Sequence, residues 1–306
     1  MASNKTRKLL GAGALLLAAV LWGTAFVTQL KGMDHLSPLA FNALRFTLGA
    51  ISVLPLLALP EAHALPNNWK RTILACVLSG GALFAAIALE QYGVKLSGSA
   101  GRSGFITALY IVITPLLGMA LGEKSKPQFW IALPFSLVGL GLLTLTGKQG
   151  GIGIGDLLLL CGAFFFAAQL HIVNRMEVNA LHLSFGQLVV AALLSWILTI
   201  ILGQTPSWSD FSAAAWPVIY SGIIATGVAY TLQVFGQTSV DPASSSILMS
   251  MESLFSVIGG AIFLHERMSV QAYIGCVLML AGTIISELPS KKKKSDKPLT
   301  TERKMD

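Results

Sequence analysis

The chain has 306 residues, of which 54% are hydrophobic and only 11% charged, with a mean hydropathy of +0.71 and a formal net charge of +7. A soluble chain carries roughly 25% charged residues, so this composition excludes a soluble globular protein and points to an integral membrane protein. The basic excess gathers in loops and at the C-terminus, which makes it membrane anchoring and leaves no reason to invoke nucleic acid.

A helix that crosses a bilayer needs about 20 mostly apolar residues. Ten such spans read along the chain: 9–30, 38–59, 72–90, 100–122, 128–146, 156–174, 184–203, 213–235, 244–264 and 270–288. Runs such as 111–121 and 189–202 are continuously apolar, which excludes the short alternating strands of a barrel. The expected fold class is therefore all-α integral membrane. The first span follows Lys5, Arg7 and Lys8 and stays apolar to Leu30 without a small-residue cleavage site, so it reads as a retained helix and not as a signal peptide. Cys76, Cys161 and Cys276 fall inside spans, with no disulfide framework or metal motif, and are expected to be buried small hydrophobes.

Polar groups inside spans are informative, because an ionisable side chain in hydrocarbon costs about 2.5 to 3.5 kcal/mol on insertion scales. In the first span Trp22 and Phe26, with Gln29 a turn further, either wall a pocket or fill the core. Arg45 lies in the second on a stripe with Asn42, Gly49 and Ser52, and can grip a carboxylate of a solute, pair with Glu252 or snorkel outward. Glu90 follows in the third. The fourth carries Ser103, Thr107, Tyr110 and Thr114, and the eighth Thr226, Tyr230, Gln233 and Gln237, each on one helical stripe. Such stripes either line a solute path or join helix to helix. His171 in the sixth has no second metal-like ligand near it and reads as a hydrogen-bonded helix residue. In the ninth span Ser245, Met249, Glu252, Ser253, Ser256, Gly259 and Gly260 share one side, opposite Ile247, Met251, Leu254, Phe255 and Ile258. That sidedness turns Glu252 toward the bundle or a cavity. There it is either a titrating, cation-binding carboxylate or a structural hydrogen-bonding residue.

The halves repeat at a constant offset of 143. Leu121, Glu123, Gln128, Ile131, Leu137 and Gly139 recur as Leu264, Glu266, Gln271, Ile274, Leu280 and Gly282, and upstream Leu89/Leu232, Gly93/Gly236, Ala100/Ala243 and Ser103/Ser246 keep the register. On the same offset Gln233 is the counterpart of Glu90. Five spans per repeat is odd, so the second repeat enters from the opposite side and the two are inverted copies. The expected domains are repeats over 9–146 and 156–288, a Gly-rich linker over 147–155 and a polybasic tail over 289–306. With the N-terminus inside, fifteen Lys and Arg fall on the inner side and five outside, with Arg45 in a span. The positive-inside rule thus makes both termini cytoplasmic. Lys291, Lys292, Lys293 and Lys294 read as a stop-transfer flank, with binding of anionic lipid as the alternative.

Catalysis finds no constellation. Gly153, Ile154, Gly155 and Asp156 match the string of intramembrane aspartyl proteases, but no second Asp lies within a span to share a proton. Asp156 is expected to be the N-cap of the sixth helix. Gly147 and Lys148 lack the spacing of a phosphate loop. No cofactor or metal motif is present, so the chain reads as a non-enzyme.

Leu21, Trp22, Gly23, Thr24 and Phe26 come first. Ser99, Ala100, Gly101, Arg102, Ser103, Gly104 and Phe105 then lead to Thr107, Tyr110, Thr114 and Pro115. With Met249, Ser250, Met251, Glu252, Leu264, His265, Glu266 and Arg267 in the second half, the chain resembles the EamA type of the drug/metabolite transporter superfamily. Ser253, where many relatives have Pro, and Phe164, Phe165 and Phe166 depart from the pattern. The resemblance implies ten helices in two inverted five-helix repeats, a cavity built by helices one to four and six to nine, and peripheral helices five and ten. It also implies a secondary transporter of the bacterial inner membrane that moves a small solute, an amino acid or derivative, by alternating access. Export and proton coupling are expected, with Glu252 as the coupling candidate and Arg45, Glu90, Tyr110, Tyr230, Gln233 and Trp22 in the cavity. Lipid and solute are the expected partners, and homo-oligomerisation stays open. A channel-like facilitator and a non-transporting structural or regulatory membrane protein are the alternatives. Glu123 and Glu266 are expected to be structural, pairing with Lys124, Arg267 or another loop.

Overall fold

The computed structural model of the protein describes residues 4–63, 68–97, 103, 106–144, 153–255 and 269–288, and among them there is no strand. In a bilayer every backbone N–H and C=O must be satisfied within the protein, and continuous apolar runs meet that demand as helices. These are α1 (Asn4–Met33), α2 (Pro38–Val53), α3 (Trp69–Ser97), α4 (Tyr110–Ala120) and α5 (Pro127–Thr144) in the first half. The second half holds α6 (Ile154–Met176), α7 (Ala180–Ile201), α8 (Ala215–Gln237), α9 (Pro242–Ser250) and α10 (Val270–Glu287). Six of them, namely α1, α2 with its continuation to Ala58, α3, α6, α7 and α8, are long and apolar enough to cross a membrane. The helices in the other expected spans are shorter over the described residues. Glu266, the end of the ninth span, Arg102, residues 147–152 of the linker and the tail 289–306 lie outside the described residues.

The helix ends follow local chemistry. Ser37 caps α2 by accepting from the Ala40 amide at 3.2 Å, with Pro38 in the first turn, where its missing N–H costs nothing. Asn179 caps α7 through the amides of Leu181 and His182. Asp156 departs from expectation: Gly153 is the N-cap of α6, and the Asp156 carboxylate reaches back from the third helical position to the Gly153 amide at 2.8 Å. A glycine has no side chain to cap with, so the acid three residues on takes over half of the capping box. Inside α8, residues Tyr220–Val228 widen into a π-helix.

The packing is two-fold. α2 lies on α7, α4 on α9 and α5 on α10, each helix against its own repeat counterpart, while α3 on α6 is mirrored by α1 on α8, and α3 on α7 by α2 on α8. Glycines mark these crossings reciprocally. A Cβ on Gly139 would sit 2.7 Å from the Gly275 carbonyl, and one on its counterpart Gly282 would sit 3.0 Å from the Ala132 carbonyl. Gly93 meets Gly155 and Leu159, as Gly236 meets Gly11 and Leu15. Gly80 meets the Gln187 carbonyl and Val190, as Gly222 meets the Arg45 carbonyl and Leu48. The last set pairs Arg45 with Gln187 at one residue less than the 143 offset, a slip that the side chains alone do not reveal. Small residues let backbones approach closely where lipid offers no hydrophobic drive between helices.

The outward faces are apolar, as lipid requires: Ile73, Val77, Ile131, Val138, Ile197, Ile201, Val277 and Ile284 are all more than a third exposed. Trp208 and Trp216, the most exposed aromatics among the described residues, sit before and in the first turn of α8, where indoles favour the membrane–water boundary. Cys161 is also exposed on this surface, contrary to its expected burial. A small apolar thiol is as much at home against lipid as in a core. The described part of the ninth span differs as well: Ile247, Met251 and Leu254 are as buried as Ser245 and Met249. Polar and apolar faces both pack inside, because α9 runs through the centre of the bundle.

At one end the connections are tied together. Arg71 reaches Glu177 at 3.7 Å, Arg175 bonds Glu123 at 2.7 Å and the Leu121 carbonyl at 2.8 Å, and Lys126 pairs with Asp241. Glu123 thus has its partners on α6, in Arg175 of the last turn and in His171, and not in the expected Lys124 or a loop. The residues joined belong to the connections expected on the inner side. Asp241 also caps α9, accepting from the Ser244 amide at 3.0 Å. Burial pushes its carboxyl up, but Lys126 and Ser244 outweigh this and hold it below the ordinary aspartate value. A depressed folded pKa stabilises the fold above the unfolded value, near 4, and that contribution is lost as pH falls through the lower folded value. Melting temperatures of the detergent-solubilised protein between pH 6 and 3 should therefore fall less steeply in Asp241→Asn than in wild type. An unchanged slope would mean that this carboxylate carries none of the acid sensitivity.

Candidate functional site

Between the two halves lies a cavity with about 620 Å³ of empty space, counting its mouth. Trp22, Arg45, Glu90, Tyr110, Tyr230, Gln233 and Glu252 all line it. α1 contributes Trp22 and Gln29, α2 Arg45, α3 Glu90, α4 Tyr110, α6 Phe166 and Gln169, α8 Tyr230 and Gln233, and Glu252 follows α9 in the helical turn 252–255. α5 and α10 pack on each other and supply no lining residue. Nor does α7, which the resemblance had included: it stands behind α2 and α3.

The walls are aromatic. Trp22 and Tyr230 pack with ring centroids 5.0 Å apart and planes tilted by 58°, and Tyr110 and Phe166 at 6.2 Å and 52°. The Trp22 indole donates to the Ala225 carbonyl at 2.7 Å, within the π-helical stretch of α8. That bond fixes the ring and removes a polar N–H from the apolar wall. The Arg45 guanidinium lies 5.1 Å from the Phe46 ring and 6.0 Å from the Phe41 ring. Its Nε has no hydrogen-bond partner, and no ion pair within 4 Å joins it to Glu90 or Glu252 among the described residues. Glu90 stands within electrostatic range of both Arg45 and Glu252. Three ionisable groups thus face one space within the bundle without pairing directly. Such an arrangement is costly for a scaffold, and it leaves donors and acceptors free for a solute.

Behind the lining, the second half carries a chain of buried amides. Ser79 donates to Gln187 Oε1 at 2.7 Å, Gln169 to the same oxygen at 3.0 Å, Gln233 to Gln169 Oε1 at 2.9 Å and to Gln237 Oε1 at 3.3 Å, and Gln237 to the Leu170 carbonyl at 3.1 Å. Gln169 and Gln187 escaped the sequence reading. Their signal was there: each is an amide in an otherwise apolar run, and Gln169 lies one turn beyond Phe166 on α6.

Hydrogen bonds join the helices toward one end of the cavity. Thr24 meets the Tyr220 hydroxyl at 2.7 Å, Thr28 meets Ser221 at 3.0 Å, and Gln91 donates to Gln29. Toward the other end the His171 ring contacts the Thr114 carbonyl at 2.8 Å and Glu123 at 3.1 Å, a structural position between α6 and α4. Among the described residues no group of three His, Cys, Asp or Glu is placed to hold a metal ion.

Comparison with known proteins gives a consistent result. The model of the EamA-like transporter family matches twice, over residues 9–145 and 153–288. The uncharacterized transporter YwfM of Bacillus subtilis (strain 168) is 28% identical over 288 residues, covering 92% of this chain and 95% of that protein. The uncharacterized inner membrane transporter YedA of Escherichia coli (strain K12) is 22% identical, covering 90% of each. A crystal structure of a protein 20% identical superposes with a TM-score of 0.77 over 96% of this chain and the whole of the other, a likeness of fold.

Proposed function

We propose that this chain, which belongs to the EamA-like transporter family, is a secondary transporter that carries a small amphipathic metabolite, an amino acid or derivative, through the central cavity by alternating access. The reading includes ten crossings in two inverted five-helix repeats, both termini cytoplasmic, and residence in a bacterial inner membrane. The observation that carries it is the cavity between the repeats, where Arg45, Glu90 and Glu252 face one another without direct pairing among aromatic walls. Inverted repeats around a site at their interface are a recurrent plan for such carriers. Glu252 is the coupling group, exchanging solute for a proton, and export follows from a proton gradient directed inward. Arg45 receives the anionic end of the solute, and Trp22, Tyr110 and Tyr230 wall its apolar part. YedA bears the name of an inner membrane transporter, which supports the location.

The test is flux in proteoliposomes of a panel of amino acids and related amphipathic solutes, with and without a pH gradient. Accumulation that follows the gradient is the expected result. Equilibrative flux indifferent to the gradient would replace the carrier with a channel-like facilitator, and no flux for the whole panel would remove the transport reading.

A further inference from the structure

The two halves share a backbone plan but differ in what they put at matching positions. The first half has Arg45 and Glu90; the second has Gln187 and Gln233 at the counterpart sites, bridged by Gln169. We infer that this amide relay is a specificity device: it turns the acceptor oxygen of Gln233 to the solute, so that the transported molecule presents an N–H donor there as a primary ammonium. The inference rests on the carrier reading above.

The direction of the relay follows from its last acceptor. The Leu170 carbonyl can only accept, so Gln237 offers it Nε2 and turns Oε1 to Gln233. Gln233 must then present Nε2, which it donates a second time to Gln169 Oε1. Gln169 in turn gives its own Nε2 to Gln187 Oε1, where the Ser79 hydroxyl also donates. Reversing any one amide would set donor against donor or acceptor against acceptor. One backbone carbonyl therefore fixes the sense of the whole chain.

Gln233 is left with both amide hydrogens engaged and with Oε1 unpartnered, on a side chain 1% exposed in the wall of the cavity. A buried oxygen without a donor costs free energy until one arrives. The carboxylates of Glu90 and Glu252 line the same space, so three side chains offer acceptors. The faces of Trp22 and Tyr230 add the negative side of their ring quadrupoles. Among the described residues that line the cavity, Arg45 alone carries positive charge, which assigns it the opposite end of the solute. Gln187 and Gln237, outside the lining, are then positioning residues that act through Gln233, and Gln169, itself in the lining, orients Gln233 by accepting from its amide.

The test uses the full chain in lipid nanodiscs and titration calorimetry with three probes: phenethylammonium, its N,N,N-trimethyl analogue and 3-phenylpropionate. Wild type should bind phenethylammonium about tenfold tighter than the trimethyl analogue, which keeps the charge and has no N–H. Gln237→Met and Gln169→Met should weaken phenethylammonium about tenfold and leave 3-phenylpropionate within about twofold. Gln169→Glu should restore the affinity, because a neutral carboxylic acid has one acceptor oxygen and one O–H in the amide's place. Equal binding of the two cations by wild type overturns the proposal whether or not the variants fold. So does an equal loss for both phenethylammonium and 3-phenylpropionate, which marks a structural effect only. If the proteoliposome panel gives flux but wild type binds no cation probe, the proposal fails and the carrier reading stands; if flux is absent too, both fail.

Discussion

Glu252→Gln is expected to abolish accumulation driven by a pH gradient, lowering it at least about tenfold, while gradient-free exchange of the same solute persists. Glutamine keeps the shape and the hydrogen-bonding reach of glutamate but cannot change charge. Among the described carboxylates, Glu252 and Glu90 alone line the cavity, and they differ in their surroundings. Glu90 has Arg45 in electrostatic range, so its charge is offset within the first half; among the described residues Glu252 has only the like charge of Glu90 acting on it. A group with no compensating cation is the one whose proton and whose solute compete most directly. Glu90→Gln should therefore weaken solute binding but retain gradient coupling, and its counterpart Gln233 already has that amide. Proteoliposome flux at matched incorporation measures both variants. Wild-type accumulation in Glu252→Gln would remove it from coupling, and loss of coupling in Glu90→Gln alone would transfer the role.

The second large effect is on stability. At Gly139 a Cβ would lie 2.7 Å from the Gly275 carbonyl and 2.8 Å from the Met279 amide, both backbone atoms that cannot swing away. Gly139→Val must push α5 off α10, and overpacking of this kind costs about 1 to 3 kcal/mol. Its counterpart Gly282, against the Ala132 carbonyl and the Ser136 backbone, should behave alike. Because the two helices separate together, the double substitution should cost less than the sum of the singles. Gly81→Ala is the control, since nothing lies within 4 Å of the added carbon. It should be neutral or slightly stabilising, as alanine favours a helix over glycine. Thermal melting of the solubilised protein decides: a Gly139→Val curve that overlays wild type would show that the α5 and α10 crossing is looser than the backbone contacts state.

Much of this was legible in the sequence because lipid imposes simple rules. Apolar runs gave the helices, and the cost of polar groups in hydrocarbon drew attention to Trp22, Arg45, Glu90, Tyr110, Tyr230, Gln233 and Glu252, which the fold gathers around one cavity. The matched glutamates, glycines and glutamines gave the repeat. Other features depended on three-dimensional neighbours. Gln187 looks like any polar interruption of α7 until Ser79 and Gln169 converge on it from α3 and α6. The slip that pairs Arg45 with Gln187 is hidden because one is charged and the other is not. Cys161 and the apolar side of α9 were misjudged for a common reason: hydrophobicity does not distinguish a lipid-facing surface from a protein core, and only packing does. The π-helical widening of α8, where Gly222 and Gly227 let α2 approach, has no local sequence signature.

The reciprocal glycine crossings also bear on energetics. If each helix contact in one half has its twin in the other, tilting the halves to open one face breaks the same set of contacts as opening the opposite face. On the proposed alternating-access reading, the scaffold is then thermodynamically even-handed between its two end states. Any preference between them comes from the positions where twins differ, chiefly Arg45 against Gln187 and Glu90 against Gln233. A few side chains, and not the architecture, set which way the resting protein faces.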